Sequence, residues 1–336
     1  MNLPSAMRAV RLKAYDGKPE SIVLDEVPTP KPDPGQVLVK VFASPINPSD
    51  LAFLAGLYGF KKSLPTIPGF EGSGTVVEAG AGFLPGLLKG RRVACAAADP
   101  KIPGGMWAEY VVTSAQMCVP LSKQTSFEQG AMMLVNPMSA YAMISIAREG
   151  HHRAIVQTAA ASALGRMIVR LGRKYGIPVI NVVRRPEQVQ ILREMGAVHV
   201  VDSSATNFDQ DLLELCREMD ATIGLDAVAG DLTARIMRAQ PKGSRMLVYG
   251  ALSMKATEID PGLVIFEGKK LEGFWVSGWL AKKNLLSRVK VAREVQSMLG
   301  NELKSEVQGK VPIANAAEAL HQYMTNMTAG KVLLTP

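Results

Sequence analysis

At 336 residues, with 47% hydrophobic and 20% charged residues and with its 30 Gly and 21 Pro scattered, the chain has ordinary globular composition and the length for two domains, which excludes disorder, collagen and coiled coil. The net charge of +8 is spread as +3 over residues 1–126, +1 over 127–276 and +4 over 277–336, without the dense basic stripe of a nucleic-acid face. The longest apolar stretch, Ala131 to Ala147, is interrupted by Asn136 and Pro137 and falls short of the roughly 20 residues of a membrane helix, and the first residues show no apolar leader, so neither a nucleic acid nor a membrane is expected as a partner and the cytoplasm is the expected compartment.

The first 80 or so residues read as short strands between Pro and Gly turns. Gln36 to Ser44 and Gly72 to Gly80 are β-branched runs, and the segment is expected to form a β-rich barrel. Between them, Asp50 after Ser49 reads as the cap of a helix beginning at Leu51. From Phe127 the texture changes: Glu128 to Glu149 has helical period, and apolar strands then alternate with amphipathic helices. The strands are Ala154 to Ala160, Pro178 to Arg184, Val198 to Val201, Ala221 to Val228, Ser244 to Gly250 and Leu271 to Gly278. That order, with helices between, predicts a parallel doubly wound sheet. Lys282 to Leu299 reads as one amphipathic helix, and the tail from Gly330 as a strand returning to the first domain. The expected division is a catalytic domain of residues 1–126 and 277–336 around a dinucleotide-binding domain of residues 127–276.

The three cysteines, Cys95, Cys118 and Cys216, match neither a disulfide framework nor a metal knuckle, and read as buried small hydrophobes. The four histidines form no cluster with them, so no protein-built metal site is expected.

A dinucleotide fold needs a tight turn between its first strand and helix, because the pyrophosphate sits on the N–H groups at the helix N-terminus. Here that turn is Ala160, Ala161, Ser162, Ala163, Leu164 and Gly165. Against G-x-G-x-x-G it keeps only the last glycine, and its context of strand, turn and helix is what supports cofactor binding. The second strand selects the cofactor. NAD-preferring folds carry an acid near its end, whereas the 2′-phosphate of NADP favours arginine. This strand ends in Val183, Arg184 and Arg185, with Lys174 closing the preceding helix, so NADPH is the expected cofactor. Arg166, Arg170 and Arg173 read equally as a solvated helix face.

With PINPSDLAFLAGLYGFKKSLPTIPGFEGSGTVVEAG in the first half and NPMSAYAMISIA, INVVRRP, MLVYGALS and LVIFEGKKLEGFWVSGW in the second, the chain resembles the medium-chain dehydrogenase/reductase superfamily over nearly all its length. Within it, the chain is similar to the zinc-independent quinone oxidoreductases and the mitochondrial-type trans-2-enoyl thioester reductases. The resemblance implies an α/β protein, a GroES-like catalytic domain formed by both chain ends plus a Rossmann domain, and a homodimer joined through the edge strands of the Rossmann sheets. Where zinc-dependent members carry Cys, His and Cys ligands, this chain has Asn47, Phe70 and Asn136, so the resemblance implies a metal-free branch. Two features depart from the thioester reductases: Ala163 replaces a glycine of the pyrophosphate turn, and the segment Pro186 to Met195 is shorter.

Hydride delivery to a conjugated carbonyl without a metal needs a donor for the oxygen that becomes enolate. Tyr58, in GLYG, is the candidate, since a phenol is protonated at neutral pH, and it matches the tyrosine of the enoyl-reductase branch. The alternative is a boundary tyrosine facing water. Asn47 is a second candidate donor, or an ordinary turn residue before Pro48. Trp275 and Trp279 line an apolar wall of the substrate and cofactor site or pack in a core. Tyr249 and Gly250 close the fifth strand at its carboxyl end, where doubly wound sheets bind ligands, and by resemblance Tyr249 borders the nicotinamide or the adenine ribose. Three functions follow: an NADPH-dependent enoyl-thioester or enone reductase, an NADPH:quinone oxidoreductase, and a non-catalytic NADPH-binding protein.

Overall fold

The computed structural model describes residues 3–102 and 104–336. They form two compact units, Met1–Val135 with Ala292–Pro336, and Asn136–Val291, against expected borders at 126 and 276.

The first unit is built on a sheet whose strands run in the order Val307–Pro312, Lys331–Thr335, Gln36–Pro45, Glu71–Ala79, Arg92–Ala96 and Cys118–Pro120. Tyr110–Ser114 pairs the far end of the long strand Gln36–Pro45, which is why the path branches there. The pairings are antiparallel except between Val307–Pro312 and Lys331–Thr335. A separate hairpin, Ala6–Leu12 with Ile22–Pro28, is tied to the rest through bridges at Ala108 and Thr66. Alternating side chains bury Val37, Val39 and Val41 against Val76, Val93 and Val111, as expected for a half-buried sheet. Beside that core lies a second one holding Phe53, Phe70, Trp107, Leu320 and Tyr323. Lys62 Nζ donates to the Ala97, Ile102 and Gly104 carbonyl oxygens at 3.3, 3.0 and 2.7 Å, tying the loop after Arg92–Ala96 to the segment that follows Tyr58. Burial pushes that lysine down to about 8.

The second unit is a parallel sheet in the order His199–Asp202, Val179–Val183, Ile155–Gln157, Ile223–Asp226, Arg245–Val248 and Lys270–Gly273. In chain order that is 3-2-1-4-5-6, the doubly wound arrangement the alternation predicts. The three central strands, Val179–Val183, Ile155–Gln157 and Ile223–Asp226, are buried on both faces, which is why they read as continuous apolar runs.

Three elements differ from expectation. The helix at Asp50 starts earlier, at Pro48, with Asn47 as the N-cap and Asp50 in the first turn. The long helix from Glu128 splits into Phe127–Ala131 and Asn136–Glu149, because the Leu134 and Val135 N–H groups donate to the Glu71 carboxylate instead of to helical carbonyls, and Pro137 starts the second piece at a position that needs no N–H. The sixth strand ends at Gly273, opposite Val248, the last residue of its partner Arg245–Val248, and Trp275 caps a new helix, Val276–Ala281.

Candidate active site

In the first unit, the helix Pro48–Leu54 and the strands Glu71–Ala79 and Lys331–Thr335 bring two carboxylates and one ammonium into the protein interior: Asp50, Glu71 and Lys331. Asp50 Oδ2 accepts from the Asn47 N–H at 2.8 Å and Oδ1 from the Phe70 N–H at 3.1 Å. Glu71 accepts from Asn47 Nδ2 at 2.9 Å and from the Leu134 and Val135 N–H groups at 2.8 and 2.9 Å. Lys331 Nζ donates to the Ile46 carbonyl oxygen at 3.3 Å and to Asn47 Oδ1. One ammonium faces two carboxyls, and burial dominates all three: Asp50 is pushed up to about 7, Glu71 is raised, and Lys331 is lowered to about 8. Asn47 is fully buried, its carbonyl and one amide hydrogen committed to this network.

Tyr58 lies in the loop after that helix, half-buried, with its ring 4.5 Å from Phe70 and 5.2 Å, edge-on, from Phe60. Phe53 packs edge-on to Phe70 at 5.4 Å and extends the aromatic floor. The Asp50 carboxylate holds the Phe70 backbone, so the buried charges set the position of the ring on which Tyr58 rests. Among the described residues, no group of three or more His, Cys, Asp and Glu side chains is arranged to hold a metal ion.

In the second unit, Ser162 caps the helix Ala163–Tyr175 by accepting from the Gly165 N–H at 3.1 Å. Ala160, Leu164 and Gly165 are buried, and Ala163 takes the first helical position, half-buried. A Cβ on Gly165 would stand 2.7 Å from the Ala159 carbonyl oxygen and closer still to that of Ala160, so the retained glycine is the one that the packing of turn on helix requires. Ala159 itself sits at φ 48°, the left-handed region that favours glycine. The turn thus leads tightly from strand to helix with alanine and serine side chains in it, and the helix N-terminus it opens could hold an anion. Arg184 and Arg185 follow the strand Val179–Val183, both exposed, and neither guanidinium has a partner among the described residues. Lys174 is exposed in the last turn of Ala163–Tyr175. Tyr249 follows Arg245–Val248 with its hydroxyl buried and unpartnered, and burial raises its pKa; a Cβ on Gly250 would meet the Ala227 carbonyl oxygen at 2.8 Å. Trp275 is 53% exposed, so the core-packing alternative does not hold for it. Asn136 is buried at the head of Asn136–Glu149.

Two family models match the chain: the alcohol dehydrogenase GroES-like domain at residues 33–123 and the zinc-binding dehydrogenase domain at residues 163–290. A solved structure described as an NADPH:quinone reductase, from Mesorhizobium loti, is 37% identical, covers 100% of both chains and superposes with a TM-score of 0.93. The chain belongs to the medium-chain dehydrogenase/reductase superfamily. Among its curated relatives, the mitochondrial enoyl-[acyl-carrier-protein] reductase of Arabidopsis thaliana is 29% identical over 83% of this chain and 74% of that protein. The human protein of the same name is 28% identical over 99% and 89%. As a member of this superfamily the chain is an oxidoreductase using a nicotinamide cofactor, with the GroES-like and Rossmann folds expected of it.

For this dehydrogenase/reductase, sequence reading missed Glu71 and Lys331, which stand 260 positions apart and meet only through the sheet. The available signal was a lysine opening the apolar run Val332 to Leu334 and an acid opening another strand, Glu71.

Proposed function

We propose that the chain uses NADPH to reduce a conjugated carbonyl, an enone or an enoyl thioester, without a metal. The observation that carries this reading is Tyr58, a phenol whose ring packs on Phe70 and Phe60, Phe70 being the position that the resemblance matches to a zinc-ligand histidine. Bound NADPH supplies the hydride. Ser162, Gly165 and the helix N-terminus hold the pyrophosphate, and Arg184, Arg185 and Lys174 take the 2′-phosphate. Tyr58 donates a hydrogen bond to the carbonyl oxygen as it gains negative charge, and the apolar floor beneath it keeps that charge poorly hydrated, where a donor counts most. Asn47, locked between Glu71 and Lys331, acts as a positioning residue for the segment leading to Tyr58.

A second reading, quinone reduction, is supported by the 37% identical full-length neighbour. A quinone accepts hydride more readily and its oxygens can be protonated by water, so it depends less on Tyr58. The chain works as a homodimer: Lys270–Gly273 is an unpaired sheet edge, beside it stand the exposed Val264, Ile265 and Phe266, and Leu271 lies on the strand itself.

Loss of NADPH absorbance is measured against crotonyl-CoA, 2-alkenals and 1,4-benzoquinone, before and after exhaustive chelation. Turnover of an enoyl thioester or alkenal that survives chelation supports the leading reading. Turnover confined to the quinone selects the second, and no turnover of any of them leaves only NADPH binding.

A further inference from the structure

Two of the three free cysteines face each other. Cys95, on Arg92–Ala96, is the register partner of Cys118, on Cys118–Pro120, in an antiparallel pair. Directly opposed residues point to the same face, and both thiols belong to one buried cluster, where Cys95 Sγ donates to Met106 Sδ at 4.0 Å and Cys118 Sγ to the Ser114 carbonyl oxygen at 3.7 Å. The kind of site follows from the ladder. The Leu121 N–H donates to the Arg92 carbonyl oxygen, so Arg92 and Leu121 form a hydrogen-bonded pair. Alternation then makes Val93 with Pro120 a non-bonded pair, consistent with a proline that has no N–H, Ala94 with Val119 a bonded pair, and Cys95 with Cys118 a non-bonded one. In non-bonded pairs the Cα atoms stand about 4.5 Å apart, at the short end of the range a disulfide spans.

We propose that Cys95 and Cys118 are a redox site: on exposure to a hydroperoxide they form a reversible disulfide across the edge of the first unit's sheet. Access comes from the strand Cys118–Pro120, which is three residues long and lies at the end of the sheet path, where local opening costs least. The Cys118 sulfur, as thiolate, attacks the terminal oxygen of the hydroperoxide. The O–O bond breaks, an alcohol or water leaves, and the sulfur is oxidised to a sulfenic acid. The Cys95 sulfur then attacks that of Cys118. The S–S bond forms, the S–O bond breaks, and the oxygen leaves as water with the Cys95 proton. Two thiols lose two electrons and two protons, and one hydroperoxide takes them up. The neighbouring Cys118 and then burial hold the Cys95 thiol well above its usual value, so it serves as the second partner, not the first. A bridge held at the short end of the spacing is strained and easily reduced, which makes the reaction reversible by thiols.

The test treats the folded, full-length protein with hydrogen peroxide, then unfolds it in an alkylating agent and counts free thiols by intact mass. The proposal expects the count to fall from three to one, a peptide linking Cys95 to Cys118, a loss of about two mass units before alkylation, and recovery of three thiols after dithiothreitol. Cys216→Ser should still form the bridge, while Cys118→Ser, or Cys118→Ala if the serine protein misfolds, should keep two alkylatable thiols. Three free thiols after treatment of the folded protein, a bridge that includes Cys216, or addition of oxygen at Cys118 without a linked peptide would each overturn it.

Discussion

Tyr58 and Asp50 show how one residue's chemistry depends on where the fold puts it. If Tyr58 stabilises the developing enolate, its hydrogen bond is worth more in the transition state than in the ground state. Tyr58→Phe should then lower kcat for an enone or enoyl thioester on the order of 100-fold, leave NADPH affinity nearly unchanged, and spare most quinone turnover. Steady-state kinetics on both substrates, with nicotinamide fluorescence for binding, checks this. At the cofactor, two charge-assisted contacts of roughly 1.5–3 kcal/mol each give at least a tenfold preference for NADPH, which Arg184→Ala with Arg185→Ala should abolish while NADH binding stays the same. Asp50 makes a different prediction. Its pKa is raised from 3.8 to about 7, so between those values the folded state holds a proton that the unfolded chain has lost. Its contribution to stability is fully present below pH 3.8 and is lost as pH rises through 7. Melting curves from pH 4 to 7.5 should therefore show the stability of wild type relative to Asp50→Asn falling with pH, by roughly 4 kcal/mol at most. Of these residues, Tyr58 and the two arginines were legible because each sits in a local motif. The Glu71 and Lys331 partners of Asp50 were not, because long-range pairing leaves no spacing to read.

At the scale of elements, the Rossmann unit was legible almost strand by strand, since a buried parallel strand is an apolar run and its helices are amphipathic. The misplaced boundaries arose where backbone groups find partners from elsewhere. Leu134 and Val135 give their N–H groups to Glu71, and no local propensity reports a side chain 63 positions upstream. The aromatic and β-branched segment Phe274 to Val276 has strand propensity, but the neighbouring strand ends at Val248, leaving little to pair with. The turn before Ala163–Tyr175 tests the opposite case, in which a degenerate motif keeps the one residue its packing needs. Gly165→Ala should push the helix N-terminus off the Ala159 and Ala160 carbonyls, weaken NADPH by at least tenfold and lower the melting temperature by several degrees, as overpacking by about 1–3 kcal/mol does. Unchanged affinity in a titration of that variant would remove the turn from the phosphate site.

For the whole molecule, the exposed edge Lys270–Gly273 and its apolar flank predict an assembly of twice the 36.1 kDa chain mass by light scattering. Leu271→Lys with Phe266→Lys should shift that mass to 36.1 kDa, and a wild type already at 36.1 kDa would refute the dimer. The placement of Lys331–Thr335 beside Gln36–Pro45 has a consequence in time. A ribosome adding about 5–20 residues per second completes Asn136–Val291 before Lys331–Thr335 exists, so the Rossmann unit has all its segments first. Until Lys331–Thr335 emerges, the nascent catalytic unit carries an open sheet edge and two interior carboxyls without their ammonium, and its site cannot form ahead of the cofactor-binding half. The order of synthesis thus leaves the completion of this buried site to Lys331–Thr335, after every segment of the cofactor-binding half has been made.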